Sequence, residues 1–393
     1  MFEPALNDRP SRLEWPLILG VLGLTALGVA FIYSATIGSL RMALTQWVWC
    51  SLGLGAAAVI CLIDYHTLAR WSLVAYWATV LLLVAVLIPH LGTTHGWGAR
   101  RWIDFGPVQF QPSEFAKLAF ILALAHFLSR PHDELRQSWV FARALGLAAL
   151  PFLLILAEPD LGSALVLLPV ALGMMYVAGV PLRFLTRVVA VVGLLVALLL
   201  VDILLAPDGW RVRLEPYQRR RLLVYFGLGF APPHATEAER QRARIDQRTY
   251  SYNIEQALIS VGSGGLVGKG WRQGTQNALG YLPRKVAHND FIFSVIAEEK
   301  GFVGSVLVLA LYTVVLFSGL KIAGQARDRL GKLLAVGVVL LLFSHVFINI
   351  GMNIRIMPVT GIPLPLLSYG GSSVLCSLIA AGILHNVYLY RRV

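Results

Sequence analysis

The polar residues that could do chemistry lie in four short stretches, each beside a long apolar run. In one of them Asp290 follows His288 and stands immediately before the run that begins at Phe291. A carboxylate at a water–lipid boundary is partly desolvated, which raises its pKa towards the range of a useful general base. His288 is a rival base, and an ordinary helix N-cap is the alternative for Asp290.

A second stretch, residues 96–117, combines cations with a carboxylate. Glu114 and Lys117 are spaced i, i+3, so they share a helix face and can pair. Arg100 and Arg101 lie between two tryptophans, a pattern typical of a membrane interface. A structural ion pair beside an interfacial anchor is the alternative to a binding site.

Two further stretches combine carboxylates, glycines and prolines. Residues 158–163 form a Glu-Pro-Asp-Leu-Gly-Ser segment, which favours a turn between two helices, although its carboxylates could bind a cation or a sugar. The fourth stretch comprises residues 349–353 and 358–373, and its second part contains three prolines and three glycines. Such broken backbone is tolerated at membrane depth only where it lines a cavity or is buried in protein. The glycine-rich residues 262–270 are no phosphate-binding loop, because Gly270 stands where that motif requires Ser or Thr.

These stretches interrupt a very apolar chain. Of its 393 residues, 57% are hydrophobic and 14% are charged, whereas about 25% are charged in a soluble domain. One soluble core cannot bury so much apolar surface, so we expect membrane lipids as the solvent. The net charge of +12 fits cytoplasmic loops rich in Lys and Arg, and no nucleic-acid-binding module accompanies it. The three cysteines form no CxxC pair, which disfavours a disulfide framework or a zinc site.

Apolar windows long enough to cross a bilayer position the four stretches. They predict an all-α integral membrane protein, a single domain over residues 1–393, with about ten transmembrane helices. A large extracytoplasmic loop, about residues 206–290, joins helices seven and eight, and the Lys and Arg bias places both termini in the cytoplasm. The windows, of which the fourth and fifth are short, are 16–34, 44–63, 71–90, 115–129, 142–157, 161–180, 184–205, 291–320, 332–352 and 366–388.

Together and in this order, the four stretches resemble those of the SEDS family (shape, elongation, division and sporulation). Residues 158–162 and 358–365 are similar to the RodA branch of that family. The resemblance implies ten helices and a peptidoglycan glycosyltransferase of the bacterial cytoplasmic membrane. Such an enzyme polymerises lipid II into glycan strands at the outer face of the membrane during cell elongation.

The resemblance also implies roles for particular residues. Asp290 matches the family's catalytic aspartate in a His-Thr-Asp-Phe-Ile-Phe pattern, with Asn289 in place of Thr. Residues 111–114 together with Lys117 match a motif that lines the central cavity. Arg355 departs from the small or apolar residue expected beside the proline-rich motif.

Our mechanistic hypothesis makes Asp290 the general base that takes the proton from the sugar hydroxyl of the acceptor. The leaving lipid pyrophosphate needs cations, which could be arginines, including those of the 219–221 run, or a divalent Mg²⁺ or Mn²⁺ ion. No cofactor is certain from the sequence. The substrate-binding residues that we expect are Arg100, Arg101, Glu114, Lys117, His288 and Ser372.

The resemblance further implies a partner, a class B penicillin-binding protein that crosslinks the new strands. Two other functions remain open from the residues, a flippase that carries lipid II across the bilayer and a scaffold that only recruits a partner. A flippase needs polar residues on both sides and through the middle of the membrane, whereas here they crowd one face. The ionisable residues at Asp290 and Glu114 disfavour a scaffold.

Overall fold

The computed structural model describes residues 13–392, apart from residues 90, 94–99, 105, 107–108, 206–215 and 231–235. The N-terminal arginines of the predicted cytoplasmic side, Arg9 and Arg12, lie outside the described residues. The helices are α1 (Trp15–Ala35), α2 (Leu40–Leu62), α3 (Tyr65–Arg70), α4 (Ser72–Leu87), α5 (Pro112–Leu128), α6 (His132–Leu135), α7 (Ser138–Ala157), α8 (Leu161–Val177), α9 (Leu182–Leu205), α10 (Pro216–Tyr225), α11 (Glu237–Ser263), α12 (Thr275–Ala278), α13 (Arg284–Ala287), α14 (Ile292–Gln325), α15 (Arg329–Asn353) and α16 (Gly371–Leu389), and the strands are β1 (Gly92–Thr93), β2 (Trp102–Asp104) and β3 (Gln109–Phe110).

Seven of these helices, α1, α2, α7, α9, α14, α15 and α16, are long and apolar enough to cross a membrane. Helices α4 and α8 are apolar but shorter, and the 17-residue α5 carries the Glu114–Lys117 pair. The prediction of an integral membrane protein is confirmed, whereas the count of ten spans requires these three short helices as well. Helix α7 has 20 residues, so the fifth window, predicted to be short, is long enough to span.

The described chain is mostly helical, as the all-α prediction requires, and it adds one small sheet between two of the helices. Strands β1, β2 and β3 form an antiparallel sheet in which Thr93 pairs with Trp102 and Ile103 pairs with Phe110. The sheet lies between α4 and α5, outside the apolar windows. Segments this short can satisfy their backbone groups in a small sheet only where water or protein, and not lipid, surrounds the edges.

Helix α14 is kinked at Gly301, where φ is +64°. The glycine-rich segment that follows α11 packs against this kink, backbone to backbone: Phe302 N donates to Gly265 O at 2.8 Å and Lys269 N to Glu298 O at 3.0 Å. A Cβ on Gly301 would lie 2.4 Å from the backbone nitrogen of Gly268. The glycines of this segment therefore allow close backbone contact with α14, and the eighth window contains two helical segments that meet at Gly301.

Helix α15 lies at the centre of the bundle and packs against α5, α8, α14 and α16. Helix α9, by contrast, packs on α8, and only 6% of the α9 span is buried. At one end of the bundle, the first turns of α5, α8, α14 and α16 meet the last turn of α15. Helices α10 to α13 lie at the same end, which we call the site end. The four polar stretches of the sequence converge there.

Candidate active site

Asp290 occupies the turn between α13 and α14 and is half-buried. It does not cap α14, because Phe291 holds the N-cap position and no side chain caps the helix. Asn349 and Asn353 of α15 each donate a side-chain N–H to the carbonyl oxygen of Asp290 at 3.0 Å. The carboxylate faces Gly361, whose absent Cβ would lie 3.6 Å from Oδ2. The backbone of Asp290 is thus fixed by α15, and its carboxylate points at a position without a side chain.

Three charged residues from distant parts of the chain act on the Asp290 carboxylate. Burial raises the pKa of Asp290 to about 6, Arg221 and Arg101 oppose the rise, and Asp160 adds to it. A pKa just below neutrality leaves most of the carboxylate ionised at pH 7 while keeping it basic enough to accept a proton. The pKa of Asp290 is therefore raised, as the sequence predicts.

Arg101 and Asp160 form an ion pair beside Asp290. The guanidinium Nη1 lies 3.7 Å from Asp160 Oδ1, and Arg101 also donates to the carbonyl of Pro159. Asp160 Oδ1 accepts from Ser163 N at 3.1 Å, which makes Asp160 the N-cap of α8 within the predicted turn between two helices. The turn that starts α8 therefore also supplies charge to the candidate site.

Glu158 is fully buried just beyond the end of α7. Among the described residues, neither of its carboxylate oxygens has a hydrogen-bond partner. Burial raises the pKa of Glu158 to about 9, the nearby Asp160 adds to the rise, and Arg101 opposes it. Glu158 is therefore neutral at pH 7, and the carboxylate that pairs with Arg101 is that of Asp160.

Arg221 is the member of the 219–221 run that reaches the site. Its Nη1 donates to the carbonyls of Val359 and Thr360 at 3.2 and 3.3 Å, which docks α10 onto the proline-rich segment. Arg220 points elsewhere and lies 3.8 Å from Asp246. The broken backbone of residues 358–365 therefore serves as a platform for a cation next to Asp290.

Arg355, the residue that departs from the family pattern, has a structural role in the same region. Its φ is +62°, and its Nη2 donates to Val224 O at 3.4 Å. Tyr225 adds a hydrogen bond from its hydroxyl to Ile356 O at 2.8 Å. Arg355 thus joins the end of α10 to the turn that follows α15.

The predicted Glu114–Lys117 pair is present, with Nζ 2.8 Å from Oε1. Both side chains are buried inside the bundle, and Lys117 is only 1% exposed. Lys117 has a second partner that the sequence interpretation missed, His345 of α15, whose Nε2 lies 2.9 Å away. A histidine inside an apolar window gives no periodic signal of its own, and the spacing of 345, 349 and 353 is the signal that could have found it.

The remaining predicted site residues are arranged around this centre. Ser372 accepts from Gln111 N at 3.1 Å and so joins the first turn of α16 to α5. His288 is buried, with its ring edge-to-face against Tyr369 at 5.4 Å between centroids. Arg100 is exposed and is not among the charges that act on Asp290. The structure thus brings Arg101, Asp160, Arg221 and Asp290 together and leaves Arg100 outside.

The described residues contain no group of three or more His, Cys, Asp or Glu side chains arranged to hold a metal ion. Mg²⁺ is commonly held by one or two carboxylates together with substrate phosphates, which needs no such group. The described side chains offer the Asp290 carboxylate with its raised pKa, the guanidinium groups of Arg101 and Arg221, and the Asp160 carboxylate that pairs with Arg101.

Comparison with known proteins identifies the family. The model of the cell cycle protein family of FtsW, RodA and SpoVE matches residues 15–393. The peptidoglycan glycosyltransferase RodA of Treponema pallidum (strain Nichols) is 34% identical over 430 residues, covering 96% of this chain and 98% of that protein. Stage V sporulation protein E of Bacillus subtilis (strain 168) is 35% identical over 385 residues, covering 96% of this chain and 97% of that protein.

A solved structure has a similar fold. It is a chain from a study of how a peptidoglycan synthase complex structurally coordinates polymerization and crosslinking. The two chains superpose with a TM-score of 0.76 at 32% identity, covering 97% of this chain and 98% of that one. The chain therefore belongs to the FtsW, RodA and SpoVE family of cell cycle proteins, the SEDS family that its motifs resemble.

Proposed function

We propose that this chain is a peptidoglycan glycosyltransferase that polymerises lipid II, with Asp290 as its general base. The family and the RodA relative support the activity. The observation that carries the assignment of the base is the half-buried Asp290 carboxylate with a pKa of about 6, next to Arg101 and Arg221. The arrangement supplies a proton acceptor and positive charge at one place, and a glycosyl transfer with a pyrophosphate leaving group needs both.

In the proposed reaction the Asp290 carboxylate takes the proton from the sugar hydroxyl of the acceptor lipid II. The oxygen attacks the anomeric carbon of the donor chain, and a new C–O bond forms. The bond between that carbon and the pyrophosphate oxygen breaks, and the lipid pyrophosphate leaves with the electron pair. The proton remains on Asp290, which must lose it to water before the next transfer.

Arg101 and Arg221 are the cations that we assign to the leaving group. Both act on Asp290 from segments far apart in the chain, and Arg221 sits on the proline-rich platform. Preorganised charges of this kind stabilise negative charge as it develops in the transition state. A divalent Mg²⁺ or Mn²⁺ ion remains part of the proposal, arriving with the pyrophosphate oxygens as its main ligands.

We further propose ten transmembrane helices, with α4, α5 and α8 added to the seven long ones, and both termini in the cytoplasm. The site end then lies at the outer face of the bacterial cytoplasmic membrane, where lipid II is polymerised. The RodA-like motifs support a role in cell elongation. The related chain from a synthase complex that coordinates polymerization and crosslinking supports a class B penicillin-binding protein as the partner.

The test compares wild type with Asp290→Asn, each purified alone and with a matching class B penicillin-binding protein. Labelled lipid II is supplied, and glycan polymer is detected on a gel. Asp104→Asn, an exposed aspartate on β2, is the matched control. We expect polymer from wild type and the control and none from folded Asp290→Asn. Polymer from Asp290→Asn at the wild-type rate would make His288 the leading base. A wild type without polymer would reject the proposed activity, and a lipid II flipping assay would follow.

A further inference from the structure

One face of α15 carries a row of buried polar side chains. His345, Asn349 and Asn353 follow each other at intervals of four residues, so they lie one above another along the helix. None of them is more than 4% exposed, although the rest of the helix is strongly apolar. Burying polar groups inside a membrane bundle is costly unless each finds a partner, and all three do.

His345, at the inner end of the row, bridges two elements. Its Nε2 lies 2.9 Å from Lys117 Nζ of α5, and its ring lies beside the backbone of Pro363. The Lys117 ammonium can only donate, so Nε2 accepts this hydrogen bond. The imidazole is therefore neutral, protonated at Nδ1 and accepting at Nε2.

Asn349 and Asn353 continue the row towards Asp290. Asn349 donates to Ile362 O at 2.7 Å and to Asp290 O at 3.0 Å. Asn353 donates to Asp290 O at 3.0 Å, and its Oδ1 accepts from Ser294 of α14 at 2.6 Å. The row thus holds the carbonyl of Ile362 in the proline-rich segment and the carbonyl of Asp290.

We infer that His345, Asn349 and Asn353 form a positioning ladder that couples the buried Glu114–Lys117 pair to Asp290. The ladder fixes the proline-rich segment through the carbonyl of Ile362, next to the Pro363 backbone beside which His345 lies. That segment carries Arg221 at residues 359 and 360. One helix face therefore sets the register between the base and a cation of the site.

This inference rests on the proposed function and changes the role of one predicted pair. Glu114 and Lys117 are enclosed in the bundle, so they act through His345 and not through contact with the substrate. They and the ladder are positioning residues. A displacement of reacting groups by about 1 Å costs on the order of 100-fold in rate, which makes such remote support measurable.

The decisive variant is His345→Gln, because it alters the ladder without touching Asp290. Ser344→Ala is the matched control, since Ser344 is buried in the same helix but bonds only its own turn, at Leu340 O (2.7 Å). We expect His345→Gln to lower kcat about tenfold, with KM for lipid II within about twofold, whereas the control keeps both.

Two further readouts separate positioning from general damage. The charges facing Asp290 are Arg221 of α10, Arg101 next to β2 and Asp160 at α8. A loosened Asp290 gains water, so the acid limb of the rate profile moves to lower pH in His345→Gln. Hydrogen exchange measured by mass spectrometry becomes faster in residues 288–291 and 358–365, and it stays unchanged in Ser344→Ala.

Equal kcat, pH profile and exchange in His345→Gln and Ser344→Ala would overturn the ladder. A lower kcat in His345→Gln with unchanged hydrogen exchange in residues 288–291 and 358–365 would overturn it as well. If His345→Gln does not fold, Asn353→Ala, which removes one of the two donors to the Asp290 carbonyl, tests the Asp290 end of the ladder by the same readouts. Exchange needs no polymerisation, so the ladder is measured even if the Asp290→Asn comparison rejects the proposed function.

Discussion

Asp290→Asn should stabilise the fold while it abolishes polymerisation. Burial raises the pKa of Asp290 from 3.8 to about 6, which corresponds to about 3 kcal/mol of free energy. The folded protein holds the proton more tightly than the unfolded chain does. The ionised wild type is therefore destabilised by about 3 kcal/mol above pH 6, and this penalty vanishes below about pH 4. An asparagine at position 290 carries no charge, so Asp290→Asn avoids this penalty.

The assay is unfolding in detergent micelles at pH 7.5 and at pH 4, with wild type, Asp290→Asn and Asp104→Asn side by side. We expect Asp290→Asn to exceed wild type by up to about 3 kcal/mol at pH 7.5 and to equal it at pH 4. The exposed Asp104 should give no difference at either pH. A gain of the same size at both pH values would refute an origin in the buried charge, and no gain at all would refute the raised pKa.

Three other substitutions test separate parts of the structure. Arg221→Gln should move the acid limb of the rate profile to higher pH, because Arg221 lowers the pKa of Asp290. Lys117→Met should lower the free energy of unfolding by about 3–5 kcal/mol, because it leaves the buried Glu114 carboxylate unpaired. Gly268→Ala should destabilise by more than about 1 kcal/mol, because its φ is +80° and its Cβ would lie 2.2 Å from the α14 backbone; thermal unfolding measures the loss.

Each of these has a matched control. Arg221→Lys keeps the positive charge and should leave the acid limb close to its wild-type position. Adding Glu114→Gln to Lys117→Met removes the unpaired charge and should recover most of the lost stability. Gly262→Ala replaces a helical glycine that faces open space, so it should be neutral or slightly stabilising. If a control shifts the acid limb or changes the stability as much as its test variant does, the explanation given for that variant is wrong.

The membrane helices could be predicted closely, because about twenty apolar residues are a physical requirement for crossing a bilayer. The first window, 16–34, corresponds to Trp15–Ala35 in the structure. The kink at Gly301 could not be predicted in this way, since hydropathy does not depend on the direction of the backbone. The long helix α11 lies in the segment between α9 and α14, where no apolar period indicates it.

The site was predictable to the extent that local sequence carries it. Asp290 is identified by its motif, and the Glu114–Lys117 pair by its spacing. The contacts of Arg101 and Arg221 with the site depend on how distant segments pack, and the neighbouring residues give no sign of which arginine will reach it. Arg100 and Arg101 are adjacent and chemically identical, yet the ion pair with Asp160 belongs to only one of them.

The residues that act on Asp290 are separated by long stretches of chain, from Arg101 to the proline-rich platform beyond residue 357. Contacts of such high sequence separation form late, because a long loop must close before they gain any energy. During synthesis Asp290 emerges before the asparagines that hold its carbonyl, and before the platform that docks Arg221. The nascent chain therefore inserts most of its helices with the proposed site unformed, and on this proposal the enzyme becomes active only when the last two helices have been released.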